Sequence, residues 1–427
     1  MPVKLLVVGS GGREHALVWA LARSPQATQL YVAPGNAGTA RLATNVPIKA
    51  DDVAGLVTFA RQQDIDLVVV GPEIPLALGL VDALQREGIR AFGPTAAAAQ
   101  LEASKAFSKA FMRQHRIPTG AYGSFSDYAS ALAYLDAHPA PIVLKADGLA
   151  AGKGVLVCQT DREAREGLQA ILRDRRFGTA GERVVIEEYL TGQEVSVLAF
   201  SDGKSLAPMV LAQDHKAAYD GDRGPNTGGM GSYAPAPLLD PVMLHRVSTE
   251  VLEPVIAGMA QAGTPYVGVL YAGLMVNGDD LRVLEFNCRF GDPETQVILP
   301  LLKTDLLSIV EACVSGGLDQ LGLEWSPRSA ACVVLAADGY PGDYARGLTI
   351  EGLENVAEED VLVFHAGTRQ DGSRVITDGG RVLGVTGLGD TLQGALDRAY
   401  AAAGAIRWPG VFYRHDIGAK GLARGDA

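Results

Sequence analysis

"KADGLAAGKGV", residues 145–155, sets two lysines and three glycines where two apolar runs meet. Exposed backbone N–H groups and ammonium groups together make a cradle for phosphate. A P-loop would read G-x-x-x-x-G-K-[ST] and open a helix. Here three residues separate Gly148 from Gly152, Lys153 precedes Gly154, and the β-branched, aliphatic "VLVC" follows. A strand, not a helix, comes next. The stretch therefore reads as the glycine-rich turn of a β-hairpin that could fold over phosphates.

Upstream, "KLLVVGS" (4–10), "QLYVAPGN" (29–36), "IDLVVVGPE" (65–73) and "IRAFGP" (89–94) read as strands. Helical patterns alternate with them at 13–24, 53–63 and 75–88, the last opened by Pro75. Aliphatic strands alternating with amphipathic helices predict a doubly wound parallel sheet, with ligands beyond the carboxyl ends of its strands. A boundary falls near residue 102. Beyond it the strands around residues 141–158 and 183–213 look antiparallel, because hairpin-length turns such as "SDGK" join neighbours. A polar glycine-rich loop (219–233), a helix (240–261) and two strands around 267–287 follow. Short strands and one helix (391–406) fill the end, giving three blocks: 1–102, 103–325 and 326–427.

The 427 residues carry a formal charge of −12, which argues against a nucleic-acid partner. The four cysteines lack C-x-x-C spacing, as expected of free thiols in a reducing cytosol. Neither a signal-peptide pattern nor an apolar run of membrane-spanning length is present. A cytoplasmic enzyme without membrane partners is expected.

Chemistry concentrates in four places. In "GSGGREHA" (9–16), Gly9 and Gly11 fit a dinucleotide fingerprint, but Glu14 stands where the third glycine belongs. A nicotinamide cofactor is disfavoured; a phosphate on Gly11 and Gly12 and a mere tight turn remain equal alternatives. Lys145 ends an apolar strand, either pointing into a site or snorkelling to solvent. Glu187 and Glu188 lie side by side on a strand and so face opposite ways, as ribose acceptors or as solvated surface. In "VLEFNCRFGDPETQ" (283–296), Glu285 and Asn287 share one strand face and offer two oxygens to a hard cation such as Mg²⁺. Arg289 continues on that face and suits an anionic substrate. Two lysines, a glycine-rich turn, an acidic segment and a metal pair make an ATP site without a P-loop.

The order "SKAFSK" (104–109), "VLKADGLAAGKGV" (143–155), "EEYLTGQE" (187–194), "GPNTGGMG" (224–231) and "RFGDPE" (289–294) resembles the phosphoribosylamine–glycine ligase family of ATP-grasp enzymes, nearly end to end. The resemblance implies an α/β chain: an N-terminal doubly wound pre-ATP-grasp domain, a two-lobed ATP-grasp domain with its small lobe at about 120–190 and lid at 147–154, and a small C-terminal α+β domain. It implies ATP-dependent joining of free glycine to 5-phosphoribosylamine through glycyl phosphate, a step of purine synthesis, with Mg²⁺ or Mn²⁺ and a monomeric enzyme. By motif, Lys105 and Lys145 would touch the nucleotide phosphates, and Gly152, Lys153 and Gly154 would close over them. Glu187, Glu188 and Leu190 would line adenine and Glu194 would hold ribose. Glu285 and Asn287 would bind the metal. Arg289 would hold substrate oxygens, with Asp214, Lys216 and Asp292 beside it. Gly11, Gly12, Asn36 and Glu73 would take the ribosylamine phosphate. "YAGLMVNG" (271–278) lacks the further metal carboxylate that many ATP-grasp enzymes carry one strand earlier.

Overall fold

After Lys4, the strand Val3–Gly9 carries only aliphatic side chains and glycine, and it lies at the centre of a sheet buried on both faces. Its neighbours are parallel: Thr44–Asn45, Ala27–Pro34, Val3–Gly9, Leu67–Val70 and Arg90–Phe92 in spatial order. This is the expected doubly wound sheet. The computed structural model describes residues 2–149, 154–356 and 359–425.

One helix of this unit differs from expectation. The 75–88 pattern divides into Glu73–Ala77 and Leu80–Arg86, because Gly79 between them has φ +80°. That left-handed conformation suits glycine and ends a helix. The first piece starts two residues ahead of Pro75, placing Glu73 in its opening turn.

Two antiparallel sheets follow. One orders Tyr122–Phe125, Val184–Glu188, Ile142–Ala146 and Val155–Cys158. The hairpin expected at 145–155 is therefore formed, and residues 150–153 of its turn lie outside the described residues. The other orders Leu206–Pro208, Gln193–Asp202, Val267–Asn277 and Asp280–Asn287. The helical stretch expected at 240–261 is Pro241–Arg246, Val247–Leu252 and Glu253–Gln261, with π-type bonding in the middle. Pro254 has no N–H to return to the preceding turn, a cause of such a shift in bonding.

The 219–233 segment is not a loop. Ala217–Tyr219 and Arg223–Asn226 pair as a hairpin, and Gly231–Ala234 is a wholly buried strand. That strand pairs with Ser329–Ala337, so the last sheet draws on residues far upstream: Gln213–Asp214, Gly231–Ala234, Ser329–Ala337, Arg381–Gly389 and Val361–His365 in order, with Val411–Phe412 beside Ser329–Ala337. The loop reading failed because glycines here serve close packing: a Cβ on Gly231 would lie 2.6 Å from Ile417 Cδ1. All four cysteines are free and buried, as expected. No helix among the described residues is long and apolar enough to cross a membrane.

The first and last sheets meet through buried imidazoles. The His365 backbone N–H donates to His15 Nδ1 at 2.8 Å, while Asn36 Nδ2 donates to the His365 carbonyl at 2.8 Å. Burial, with His365 and Arg41 nearby, holds the His15 pKa down at about 3; burial, with Arg41, holds His365 at about 4. An unfolded histidine titrates near 6.5, so between these values the unfolded chain binds more protons and stability rises with pH. The contribution is complete above pH ~6.5 and is lost as pH falls toward the folded values. The melting temperature should drop from pH 6.5 to 4, and less so in His15→Asn, which keeps an acceptor but cannot titrate. Identical pH slopes for the two proteins would remove this junction as a source of acid sensitivity.

Candidate active site

A cavity of about 540 Å³ lies between the two antiparallel sheets, and the first and last sheets also reach it. Strand alternation decides which side chains face it. Ile142, Leu144 and Ala146 pack into the small core beneath their sheet, leaving Val143 and Lys145 on the cavity side. Val184 and Ile186 likewise point inward, and Glu187 points to the cavity.

The strand Asp280–Asn287 needs an irregularity to do the same. Leu281 and Val283 are core residues, so unbroken alternation would send Glu285 and Asn287 into the core as well. The register skips one residue: Gly273 faces Glu285 while Leu274 faces Val283, so Leu284 is a bulge. A one-residue insertion reverses the facing of everything after it. Phe286 and Cys288 become core, and Glu285 and Asn287 turn to the cavity. The Leu284 carbonyl at the bulge accepts from Lys145 Nζ at 3.1 Å.

The helix Lys105–Gln114 brings its cations by spacing. Ser104 caps it, accepting from Phe107 N at 3.1 Å, and Lys105 and Lys109 stand one turn apart on one face. Lys105 Nζ donates to the Gly148 carbonyl at 3.1 Å. Lys109 Nζ lies 2.7 Å from Glu187 Oε2, and Lys145 Nζ lies 3.0 Å from Glu187 Oε1. One carboxylate thus bridges two lysines, with all three residues no more than 6% exposed. Burial pulls the Lys105 and Lys109 ammonium groups below their usual range. Glu188 turns away from this pair, its Oε2 accepting from Ala121 N at 2.7 Å.

The opposite wall is acidic. Burial pushes the Asp214 carboxyl up to about 7, with Lys216 opposing and Glu294 and Glu194 adding to the rise. Burial would lower Lys216, but its ion pair with Glu194 and the charge of Asp214 hold it well above the usual amine range. Burial would raise Glu285, yet Lys216, Lys145 and Lys105 hold it below the usual carboxylate range. Glu285 makes no hydrogen bond or ion pair among the described residues. An ionised, unpaired carboxylate beside the amide oxygen of Asn287 fits a hard divalent cation, which takes oxygen donors and shares them with phosphate.

Arg289 stands at the junction with the first sheet. Its Nε lies 3.3 Å from Glu73 Oε2 and its Nη2 lies 3.1 Å from Glu102 Oε1. Burial would lower the guanidinium pKa, but these carboxylates keep it firmly protonated. Burial raises the Glu102 carboxyl despite Arg289, whereas Glu73 is lowered: burial opposes Arg289 and Arg13, and the arginines prevail. Burial would also raise Asp292, which Arg381 and Arg13 hold below the usual range.

The structure brings together Glu73, Lys105, Lys145, Gly154, Glu187, Glu188, Leu190, Glu194, Asp214, Lys216, Glu285, Asn287, Arg289 and Asp292. Gly152 and Lys153 lie outside the described residues. Gly11, Gly12 and Asn36 are not brought to the cavity lining. Glu14 Oε2 accepts from Gly11 N at 2.6 Å, so the turn expected to hold a phosphate is filled by the chain's own carboxylate. A Cβ on Gly12 would lie 2.5 Å from Gln296 Nε2, and the Asn36 amide bonds to Ser10, His365, Gly38 and Thr39. Those residues join parts of the molecule together. Sequence reasoning missed Arg13, Glu102, Lys109, Tyr271 and Arg381, which also line the cavity. Only Lys109 carried a signal, its one-turn spacing from Lys105.

With this geometry established, likeness to known proteins is informative. Three family models match in order: phosphoribosylglycinamide synthetase N domain at residues 3–102, its ATP-grasp (A) domain at 103–295 and its C domain at 330–420. The chain belongs to the phosphoribosylglycinamide synthetase family. It is 53% identical over 425 residues to a protein of Allochromatium vinosum named phosphoribosylamine–glycine ligase, covering 99% of each chain. A Vibrio cholerae protein of that name is 51% identical over 428 residues, covering 100% of both. The crystal structure of a phosphoribosylamine–glycine ligase from Thermotoga maritima superposes with TM-score 0.86 at 35% identity, covering 97% of this chain and 100% of that one. A Campylobacter jejuni biotin carboxylase shares the fold, with TM-score 0.75 at 13% identity over 99% of each chain. Within the phosphoribosylglycinamide synthetase fold, then, the Glu187 bridge is a structural centre of the lysine-lined half of the cavity.

Glu187→Leu would leave Lys109 and Lys145 buried without their shared counter-charge. Removing one partner of a buried ion pair costs about 3–5 kcal/mol. The urea unfolding midpoint should fall accordingly, and an unchanged midpoint would show that Glu187 does not organise these lysines.

Proposed function

We propose that the chain is an ATP-dependent carbon–nitrogen ligase that joins free glycine to 5-phosphoribosylamine, giving glycinamide ribonucleotide, ADP and phosphate. The observation that carries this reading is one cavity holding a lysine-lined nucleotide half and an arginine–carboxylate half, in a chain about half identical to named ligases along its whole length.

Each part of the cavity suits one part of the chemistry. Val143, Met275 and Leu284 offer apolar surface for adenine, with the backbone at Glu187–Leu190 along its edge. Glu194 is placed for ribose hydroxyls. Lys105 and Lys145 supply charge for the phosphates, and Glu187 keeps Lys145 in position. Glu285 and Asn287 would hold Mg²⁺ or Mn²⁺, which would neutralise and orient phosphate oxygens.

A carboxylate oxygen of glycine attacks the terminal phosphorus of ATP, the bond to ADP breaks, and glycyl phosphate forms. The ribosylamine nitrogen then attacks the acyl carbon, the carbon–phosphate oxygen bond breaks, and the nitrogen releases a proton as phosphate departs. A glycosylamine is largely neutral near pH 7, so catalysis rests on positioning and charge neutralisation. Arg289 would hold substrate oxygens, and Asp214 or Asp292 would meet the glycine ammonium group. The reading takes the enzyme as a cytoplasmic monomer.

ADP release with ATP and Mg²⁺ should require glycine and fresh phosphoribosylamine together; release with neither, or only with another carboxylate, would overturn the choice of substrates. Glu285→Gln should lower turnover by at least about 100-fold, the scale for removing a group that stabilises developing charge, while the protein stays folded by circular dichroism. Full activity with unchanged metal dependence would remove Glu285 from the metal's ligands.

A further inference from the structure

The functional reading assigns nothing to the C-terminal strands of the last sheet, yet Arg381 at the start of the strand Arg381–Gly389 lines the cavity. Its Nη1 donates to the Asp292 carbonyl at 2.8 Å, the Gly228 carbonyl at 2.8 Å and the Gly229 carbonyl at 3.3 Å, and lies 3.3 Å from Asp292 Oδ1. The fit is close. A Cβ on Gly228 would lie 2.9 Å from Arg381 Cζ, so the guanidinium covers a position with no room for a side chain.

All of these contacts use one nitrogen. Nε and Nη2 make no hydrogen bond among the described residues, and the side chain keeps 21% of its exposure. A guanidinium offers five donors in a planar fork matched to carboxylate and phosphate. Here half of that fork is used to fix two glycine-rich turns, and the other half remains at a cavity wall. The charges around it are mixed, with Asp292 and Glu294 on one side and Arg289 on the other. Asp292 counters Arg381 through Nη1, while Arg289 repels it within the same cavity. An anion received by the unpaired edge would relieve that repulsion.

We propose that Arg381 is a substrate-binding residue: its Nη1 ties the Gly228–Gly229 turn to Asp292, and its Nε–Nη2 edge receives an anionic oxygen of a non-nucleotide substrate. The shared chemistry is a carboxylate or phosphate oxygen, from glycine or from the ribosylamine. The inference rests on the ligase reading above and gives the C-terminal block a direct part in the reaction.

The test is steady-state kinetics of Arg381→Gln and Arg381→Lys, varying ATP, glycine and phosphoribosylamine in turn, with melting temperatures alongside. A hydrogen bond to a charged group contributes about 1.5–3 kcal/mol, or roughly 10- to 100-fold. Arg381→Gln should lose that much in kcat/KM, with KM raised for glycine or for phosphoribosylamine and unchanged for ATP. The substrate whose KM moves identifies the anion. Arg381→Lys should recover part of the loss, since it restores charge without the fork. Variant kcat/KM within twofold of wild type for both substrates would overturn the proposal. So would a loss equally visible in the KM for ATP. If Arg381→Gln does not fold, Arg381→Lys alone decides by the same criteria. A wild-type enzyme inert with all substrates present would instead overturn the ligase reading, and this inference with it.

Discussion

Arg289 and Phe290 leave the end of one strand in opposite directions, and the arrangement of the molecule follows from that divergence. Phe290 is buried against Phe92 of the first sheet and Phe200 of the central one, with ring centroids 6.4 and 5.8 Å away. Its carbonyl also accepts from Arg13 and from Arg289. The apolar contact fixes how the first sheet docks, and that docking brings Glu73 to Arg289. A rotation of the two bodies would therefore strip a counter-charge from a buried guanidinium as well as expose an aromatic cluster. Hydrophobic burial supplies the free energy of docking, and the ion pairs make it specific.

The cavity shows the same economy of charge. Carboxylates outnumber cations around it, yet the most buried cations each have a partner: Lys109 and Lys145 share Glu187, Lys216 has Glu194, and Arg289 has Glu73 and Glu102. Among the described residues, Glu285 is left ionised without an ion pair at the centre. A triphosphate entering this cavity would meet the Glu285 carboxylate, which nearby lysines keep ionised without bonding it, where a divalent ion has oxygen donors, so a metal carried with the nucleotide would separate the two negative groups. That coupling suits a reaction that needs charge neutralisation more than proton transfer.

Much of this was legible in the sequence. The parallel sheet followed from aliphatic runs, the hairpin from "GKGVLVC", and the shared facing of Glu285 and Asn287 from their spacing. What was hidden depended on distant partners. Glu187 and Glu188 are equivalent in sequence; only the helix bearing Lys109 makes one a buried bridge and the other a surface group. The bulge at Leu284 has no marker in "RVLEFNC", because strand parity shows only against a known core. Gly228 and Gly231 resembled loop residues because a glycine packed under an arginine or an isoleucine has the same letter as one in a mobile turn. Arg381 lies 89 positions from Asp292 and 153 from Gly228, in a block where the sequence reading placed no site residue.

The opening turn shows why anion recognition moves to side chains here. A helix N-terminus after a glycine turn binds phosphate when its N–H groups are free and the third position leaves room. In this chain Glu14 takes that room. A Cβ on Gly9 or Gly71 would lie 2.4 or 2.3 Å from the Glu14 side chain, so the glycines exist to admit a carboxylate. With Gly11 N bonded to Glu14 and Arg13 N within 3.4 Å of Asp292, the helix start is neutralised from within. The first sheet can then contribute to anion binding only by what it holds at the junction, and what it holds is Glu73 against Arg289. On the ligase reading, charge for a substrate anion would come from the arginines at this end of the cavity, Arg13, Arg289 and Arg381.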